Sequence, residues 1–171
     1  MEKYRVSETF VSIQGEGRYT GQLTAWVRFF ACNLQCPGFS QPDPTDPSTY
    51  INDFEGVDIK TFKSLNDIPV ITHGCDSAYS WNAKFKHLCP ELTADKIVEE
   101  LFSKLPNSNF CQTTKNRNEI HFAFTGGEPL LARHQRGIVD IYNAIAAAYW
   151  VKPKFITIET NGTQPLTREF V

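Results

Sequence analysis

The chain has 171 residues, 41% hydrophobic, 13% aromatic and 21% charged, enough apolar material for one globular core and not for two. Nineteen acidic against seventeen basic side chains leave a formal charge of −2, which offers no overall field for nucleic acid or an anionic membrane. The N-terminal MEKYRVSETF lacks the apolar core of a secretion signal, and the longest purely apolar run, AIAAAYWV, is too short to span a bilayer. The expectation is a single domain over 1–171 in the cytoplasm, with no nucleic-acid and no membrane partner.

YRVSETFVSI alternates and is rich in β-branched and aromatic residues, as is LTAWVRFFA at 23–31, so both predict strands, joined by QGEGRYTGQ. From Pro37 to about Gly74 the chain carries Pro37, Pro42, Pro44, Pro47 and Pro69 among many Asp, Ser and Thr, which excludes long regular elements from its first half and reads as an insertion. TADKIVEELFSKL at 93–105 predicts a helix with Ile97, Val98, Leu101, Phe102 and Leu105 on one face, Thr93 as N-cap and Pro106 beyond its end.

EIHFAFT at 119–125 predicts a short buried strand closing on GGEP. HQRGIVDIYNAIAAAYW then predicts a helix with Ile138, Ile141, Tyr142, Ile145 and Tyr149 inward. KFITIETNGT is a further strand ending in a polar glycine turn, and PLTREFV begins what resembles another helix. This alternation predicts an α/β fold with polar residues at the C-terminal ends of successive strands, where such sheets and barrels place their sites.

Five cysteines, an odd number in a chain without an export signal, argue against a disulfide framework. Cys32 and Cys36 follow directly on the second strand, and Cys75 lies beyond the proline-rich stretch. Three thiolates on loops at one end of a sheet suit an iron–sulfur cluster with one iron left open for a small molecule. Two other readings stand beside it. A single buried cysteine behaves as a small hydrophobe, which is the reading kept for Cys89 and Cys111. The Cys32–Cys36 pair is also half of a zinc site, with His73 available as a further ligand, although no second tight pair exists.

ACNLQC resembles the first part of the CxxxCxxC motif of radical S-adenosylmethionine enzymes, and CDSAYSW resembles its continuation in the 7-carboxy-7-deazaguanine synthases. In most members the last two cysteines are two residues apart, whereas here 38 residues separate Cys36 from Cys75. QGEG at 14–17, TGGEP at 125–129 and ETNG at 159–162 match the same family in order and context.

The resemblance implies a partial (β/α) barrel of the radical S-adenosylmethionine type, with a proline-rich insertion over 37–74 and a short C-terminus. It implies a [4Fe-4S] cluster on Cys32, Cys36 and Cys75, and S-adenosylmethionine held by Gly74, Asp76, Gly127 and Glu128. Gly126 and Gly127 permit a close backbone approach, and Glu128 offers an acceptor for the cofactor's amino group. Ser77 stands where the family carries a hydroxyl ligand to Mg²⁺, more usually Thr.

Substrate contacts are implied for Ile13, Gln14, Gly15, Glu16, Arg28 and Thr125. Arg28 would supply a guanidinium fork for a carboxylate or a pterin edge. The four histidines receive no role.

The activity implied is a radical-mediated ring contraction of 6-carboxy-5,6,7,8-tetrahydropterin to 7-carboxy-7-deazaguanine with loss of ammonia, a carbon–nitrogen lyase reaction serving 7-deazaguanine (queuosine or modified-DNA) biosynthesis. The partners implied are that small molecule and an external electron donor such as flavodoxin, with a homodimer among the assemblies the resemblance allows.

Within the same class the competing reading is an activase of a glycyl-radical enzyme, against which QGEG and CDSAYSW speak. From another class comes a zinc-stabilised binding module on Cys32, Cys36, Cys75 and one histidine, and a third reading is a relative that keeps the fold without turnover. The family's chain continues through further strands, so the end at Val171 predicts a fragment or a minimal variant.

Overall fold

The computed structural model describes residues 1–106, 110, 120–148, 153 and 155–171. Strands β1 (Lys3–Ile13) and β2 (Leu23–Phe29) form where alternation and β-branched content predict them, and they pair antiparallel. A three-residue strand, β3 (Glu91–Thr93), pairs with the start of β1 and leads into helix α1 (Ala94–Lys104). The Thr93 hydroxyl accepts the Lys96 N–H at 3.4 Å, which makes Thr93 the N-cap, and Ile97, Val98, Leu101, Phe102 and Leu105 are all buried.

Strand β4 (His121–Gly126), helix α2 (Ala132–Ala148) and strand β5 (Ile156–Ile158) complete a mixed sheet in the order β3-β1-β2-β4-β5, with β2, β4 and β5 parallel.

The register of β1 contains one irregularity that decides which side chains reach the polar face. Pairing passes from Val6 opposite Phe29 to Glu8 opposite Arg28, so Ser7 is the extra residue of a β-bulge. Strict alternation from Tyr4 and Val6, both in the core, would turn Glu8 inward as well. After the bulge Thr9 and Val11 lie opposite the core residues Val27 and Ala25, while Glu8 and Phe10 lie opposite Arg28 and Trp26.

Both helices pack on one side of the sheet, over a core that includes Ala25, Val27, Phe29, Phe122 and Phe124 from the strands and Ile97, Leu101, Ile138, Ile141 and Ile145 from the helices. The opposite face carries Gln14, Trp26, Arg28, His121, Thr125 and Glu159. This face is concave. In a flat sheet three spacings of about 4.8 Å, roughly 14 Å in all, would separate β1 from β5. Yet Gln14, just after β1, donates from Nε2 to Glu159 Oε1, just after β5, at 3.2 Å. The reach of the two long side chains and the coiling of the twisted sheet together close that distance.

Between Phe29 and Glu91 the backbone forms only short 3₁₀ turns, at Pro47–Thr49, Ile59–Thr61, Leu65–Asp67, Ala78–Ser80 and Ala83–Leu88, as the prolines require of its first part. A small apolar cluster holds this region: Ile59 and Phe85 are buried, and Phe54 meets Phe85 edge-on at 5.1 Å.

Two sequence expectations are corrected, at Tyr142 and at the last strand. Tyr142 is 39% exposed and not inward. It lies at the margin of the buried stripe of α2, next to the fully buried Ile141. Within PLTREFV the Phe170 and Val171 N–H groups both donate to the Thr167 carbonyl, at 3.0 and 3.3 Å, forming one turn. The Gln135 amide anchors this segment, donating to the Pro165 carbonyl at 2.8 Å and accepting the Thr167 N–H at 2.7 Å. The last strand covers only Ile156–Ile158 of the stretch expected to be extended. The expectations for Tyr149 and Cys111 fall outside the described residues. No described helix is long and apolar enough to cross a membrane.

Candidate active site

The site is built where β2, β4 and β5 end. β2 leaves the sheet through Ala31, whose φ of +129° is rare for a residue with a Cβ, and the following turn sets Cys36 at φ +47°. Strain of this kind persists only where surrounding contacts over-determine the backbone. Here the Ala31 N–H is tied to the Ser80 carbonyl at 2.9 Å and its carbonyl to the Glu128 N–H at 2.8 Å.

The turn after β4 rests directly on this segment. A Cβ on Gly127 would lie 2.3 Å from the Ala31 oxygen and 2.8 Å from the Cys32 Cβ, and one on Gly126, at φ +152°, would lie 2.4 Å from the Phe29 oxygen. The close approach that these glycines permit is therefore one of backbone to backbone. It presses the TGGEP turn onto the cysteine loop.

Glu128 is wholly buried, and its carboxylate already holds three donors. Oε1 accepts the Leu130 N–H at 2.6 Å and the Thr160 hydroxyl at 2.8 Å, and Oε2 accepts the Asn161 N–H at 2.8 Å. The side chain thus joins the turn after β4 to the loop after β5. Asn161 reaches onward, donating from Nδ2 to Asn33 Oδ1 at 3.1 Å, with the Cys32 sulfur 3.9 Å away, while Asn33 donates to the Thr163 hydroxyl at 2.8 Å. A backbone N–H from Leu34 meets the same sulfur at 3.4 Å.

Cys32, Cys36 and Cys75 are all free and partly buried. Burial pushes the Cys36 thiol above its ordinary range, and the neighbouring Cys75 and Cys32 push it the same way, since neither sulfur favours a second negative charge beside it. The three thiols therefore share one neighbourhood despite the long stretch between the last two. Among the described residues no three His, Cys, Asp or Glu side chains converge tightly enough to grip a single ion. A cubane cluster does not ask that its thiolates meet at one point, because each binds a different iron. The donor set, three free thiols with N–H groups aimed at one of them, fits a cluster of that kind. Cys89 lies apart, 1% exposed, with its thiol raised by burial, as a packed core residue.

On the concave face Arg28 is held on several sides. Its Nε donates to Glu8 Oε1 at 3.0 Å, its Nη1 lies 3.4 Å from the Ser77 hydroxyl, and its guanidinium stands over the rings of Phe10 and Tyr79 at 5.4 and 5.7 Å. The Tyr79 hydroxyl donates to the same Glu8 oxygen at 2.9 Å, and burial keeps that phenol protonated far above neutral pH. Thr125 is buried opposite Arg28 in the β2–β4 ladder. Ser77 donates to Asp76 Oδ1 at 3.0 Å, which places a hydroxyl and a carboxylate side by side just after Cys75. A cavity of about 380 Å³ opens beside Glu8, Asp76 and Tyr79, walled by residues of the 65–71 stretch.

The expected QGEG residues divide. Gln14 is buried and accepts the Glu16 N–H on its side-chain oxygen at 3.2 Å, whereas Ile13, Gly15 and Glu16 are exposed. Gly74, at φ +78°, lies beside Cys36 and Pro37.

Several contributors were not expected from the sequence. Tyr79, Glu159 and Asn161 lie inside the CDSAYSW and ETNG motifs, which assign them no role. Glu8 was legible only as a charged residue in phase with Tyr4 and Val6. His73, given no role, is paired through Nδ1 with Asp53 Oδ1 at 2.7 Å, and this bond more than any other holds the Asp53 carboxyl well below the usual range.

Comparison with known proteins supplies the context. A 7-carboxy-7-deazaguanine synthase of Rhodopirellula baltica is 30% identical over 159 residues, 92% of this chain and 38% of that protein. Those of Hyperthermus butylicus and Bacteroides thetaiotaomicron are 27% and 26% identical over 162 residues, covering 94% and 95% of this chain and 44% and 54% of theirs. Along nearly its whole length the chain is similar to 7-carboxy-7-deazaguanine synthases. It spans about half, or less, of the length of these synthases. The crystal structure of QueE from Escherichia coli aligns over 96% of this chain and 55% of its own, at 19% identity and a TM-score of 0.46. No protein-family model matches.

Proposed function

We propose that this chain carries the radical S-adenosylmethionine site of a 7-carboxy-7-deazaguanine synthase. Cys32, Cys36 and Cys75 hold a [4Fe-4S] cluster, and the coiled sheet is the beginning of a partial (β/α) barrel. The observation that carries the reading is the packing of the three cysteine segments: a Cβ on Gly74, next to Cys75, would lie 4.0 Å from the Cys36 carbonyl oxygen, and one on Gly127 would lie 2.8 Å from the Cys32 Cβ.

When bound, the cluster and S-adenosylmethionine would supply abstraction of a hydrogen atom at C6 of 6-carboxy-5,6,7,8-tetrahydropterin and its return after the ring contraction, so that S-adenosylmethionine is regenerated. The chain's residues bind and orient. Backbone groups at Gly74, Asp76 and Gly127 line the place of the cofactor's methionyl end, and Glu128 fixes the loops around it. Arg28, its guanidinium over the rings of Phe10 and Tyr79, offers its fork to the substrate carboxylate, which shares it with Glu8. Gln14 and Thr125, buried on the concave face, supply donors and acceptors for the pterin edge. Ile13, at the exposed end of β1, and Gly15 and Glu16, on the loop after it, close over that edge. Ser77 and Asp76 give the hard oxygens that a Mg²⁺ ion on the substrate carboxylate would take. Loss of ammonia completes the ring contraction, and a soluble donor such as flavodoxin supplies the electron.

The test is anaerobic reconstitution with iron and sulfide, followed by visible absorption and electron paramagnetic resonance of wild type and Cys75→Ala, and an assay with 6-carboxytetrahydropterin. A reducible four-iron signal lost in the variant supports the reading. Stoichiometric zinc with no cluster overturns it.

A further inference from the structure

The 38 residues between Cys36 and Cys75 return the chain alongside the point from which it left. Gly74 N–H donates to the Phe39 carbonyl at 2.7 Å, and a Cβ on Gly74 would lie 3.7 Å from the Pro37 oxygen. Above this neck the Gln41 amide donates to the carbonyls of Pro37 and Ile51 at 3.2 and 3.0 Å and accepts the Ile51 N–H at 2.7 Å.

Two residues further on, Asp53 closes the remainder. Its carboxylate accepts the Thr72 N–H at 2.5 Å, the His73 N–H at 2.9 Å, the Thr72 hydroxyl at 3.1 Å and the His73 ring at 2.7 Å. A carboxylate only accepts, so Nδ1 of His73 carries the proton.

We propose that Asp53 is the positioning residue that returns Cys75 to Cys36, by clamping Thr72 and His73, the two residues just ahead of Gly74 and Cys75. The proposal rests on the reading of the three thiols as cluster ligands. Loop-closure entropy grows slowly with length, so bringing the ends near each other is easy, but it leaves the direction of the returning chain free. The single bond from Gly74 to Phe39 fixes position and allows rotation. Two successive amides, a hydroxyl and a ring on one carboxylate fix direction as well, and charge-assisted bonds are the strong ones. Asp53, His73 and Cys75 line the same cavity of about 260 Å³, together with Pro37, Gln41 and Gly74.

The experiment uses the reduced, metal-free full chain and dibromobimane, a short thiol-to-thiol cross-linker that fluoresces once both arms have reacted, with the bridged peptides identified by mass spectrometry. Wild type gives a Cys36–Cys75 bridge. Asp53→Ala lowers its yield about tenfold, as loss of several hydrogen bonds to a charged acceptor should, leaves the Cys32–Cys36 bridge in place, and leaves buried Cys89 unlabelled. General unfolding would label Cys89, so a selective loss of the Cys36–Cys75 bridge separates positioning from stability.

Equal Cys36–Cys75 yields in the two chains overturn the proposal. If Asp53→Ala exposes Cys89, Thr72→Val decides: it removes one hydroxyl donor at an exposed position and must lower the same bridge with Cys89 protected, and an unchanged bridge overturns the clamp. No metal is present in this measurement. A wild type that fails to assemble four irons therefore defeats the functional reading alone, and an unaltered bridge defeats the clamp alone.

Discussion

The buried carboxylate of Glu128 accepts the backbone N–H of Asn161 at 2.8 Å, so one side chain sets the spacing between the loops that follow two parallel strands. With the Leu130 N–H and the Thr160 hydroxyl on its other oxygen, every strong contact of this carboxylate is to a donor. Glu128→Gln keeps the shape but turns an NH₂ group toward one of those donors. The expected loss is about 1–3 kcal/mol of stability, the cost of unpaired buried polar groups, measured by urea unfolding.

Gly127→Ala tests how the TGGEP turn seats on the cysteine loop. The added methyl would meet the Ala31 oxygen at 2.3 Å, and neither partner is a flexible side chain that could swing away. Overpacking of this sort costs about 1–3 kcal/mol and should shift Cys32 with the loop. The check is iron bound per chain after reconstitution, expected to fall relative to wild type.

His134 makes stability depend on pH near neutrality. Burial lowers its pKa below the ordinary imidazole value, although hydrogen bonds to the carbonyls of Glu128 and Phe30 oppose the shift. The unfolded chain takes up this proton near pH 6.5, roughly the ordinary value, while the folded chain resists it. The unfolded state thus binds more protons in that window, so the contribution is full above about pH 6.5 and is lost as the pH falls below it. Urea midpoints at pH 7.5 and 5.5 should differ in wild type and differ less in His134→Gln.

Arg28→Lys keeps the charge and removes the fork. Lysine cannot hold Glu8 and a carboxylate in two parallel bonds, nor lie flat over Phe10 and Tyr79. For 6-carboxytetrahydropterin the expected result is a KM raised about tenfold with a smaller change in kcat, the pattern of lost ground-state binding.

What was legible in the sequence was local. Alternation marks β1 and β2, the Thr93 cap and the apolar stripe mark α1, and glycine turns after strands mark the ends that carry the site. What was hidden depends on contacts far apart in the chain. That PLTREFV is anchored to α2 through the Gln135 amide carries no local signal. Asp53 and His73 belong to no spacing rule, and their pairing follows from the path of the stretch between two cysteines. Gln14 and Glu16 look equivalent in QGEG, but coiling of the sheet turns only Gln14 inward, toward Glu159.

The bulge at Ser7 makes β1 a strand with one spare residue. Removing Ser7 would join Val6 directly to Glu8 and leave a regular ladder, with Val6 still opposite Phe29 and Glu8 still opposite Arg28. Removing any one residue between Glu8 and Gln14 would invert the remaining side chains, sending Gln14 toward the helices and an apolar neighbour into the polar trough. The strand can therefore shorten at one position without losing its pairing with Arg28, and at that position the edge of the site can change length over evolution or in engineering.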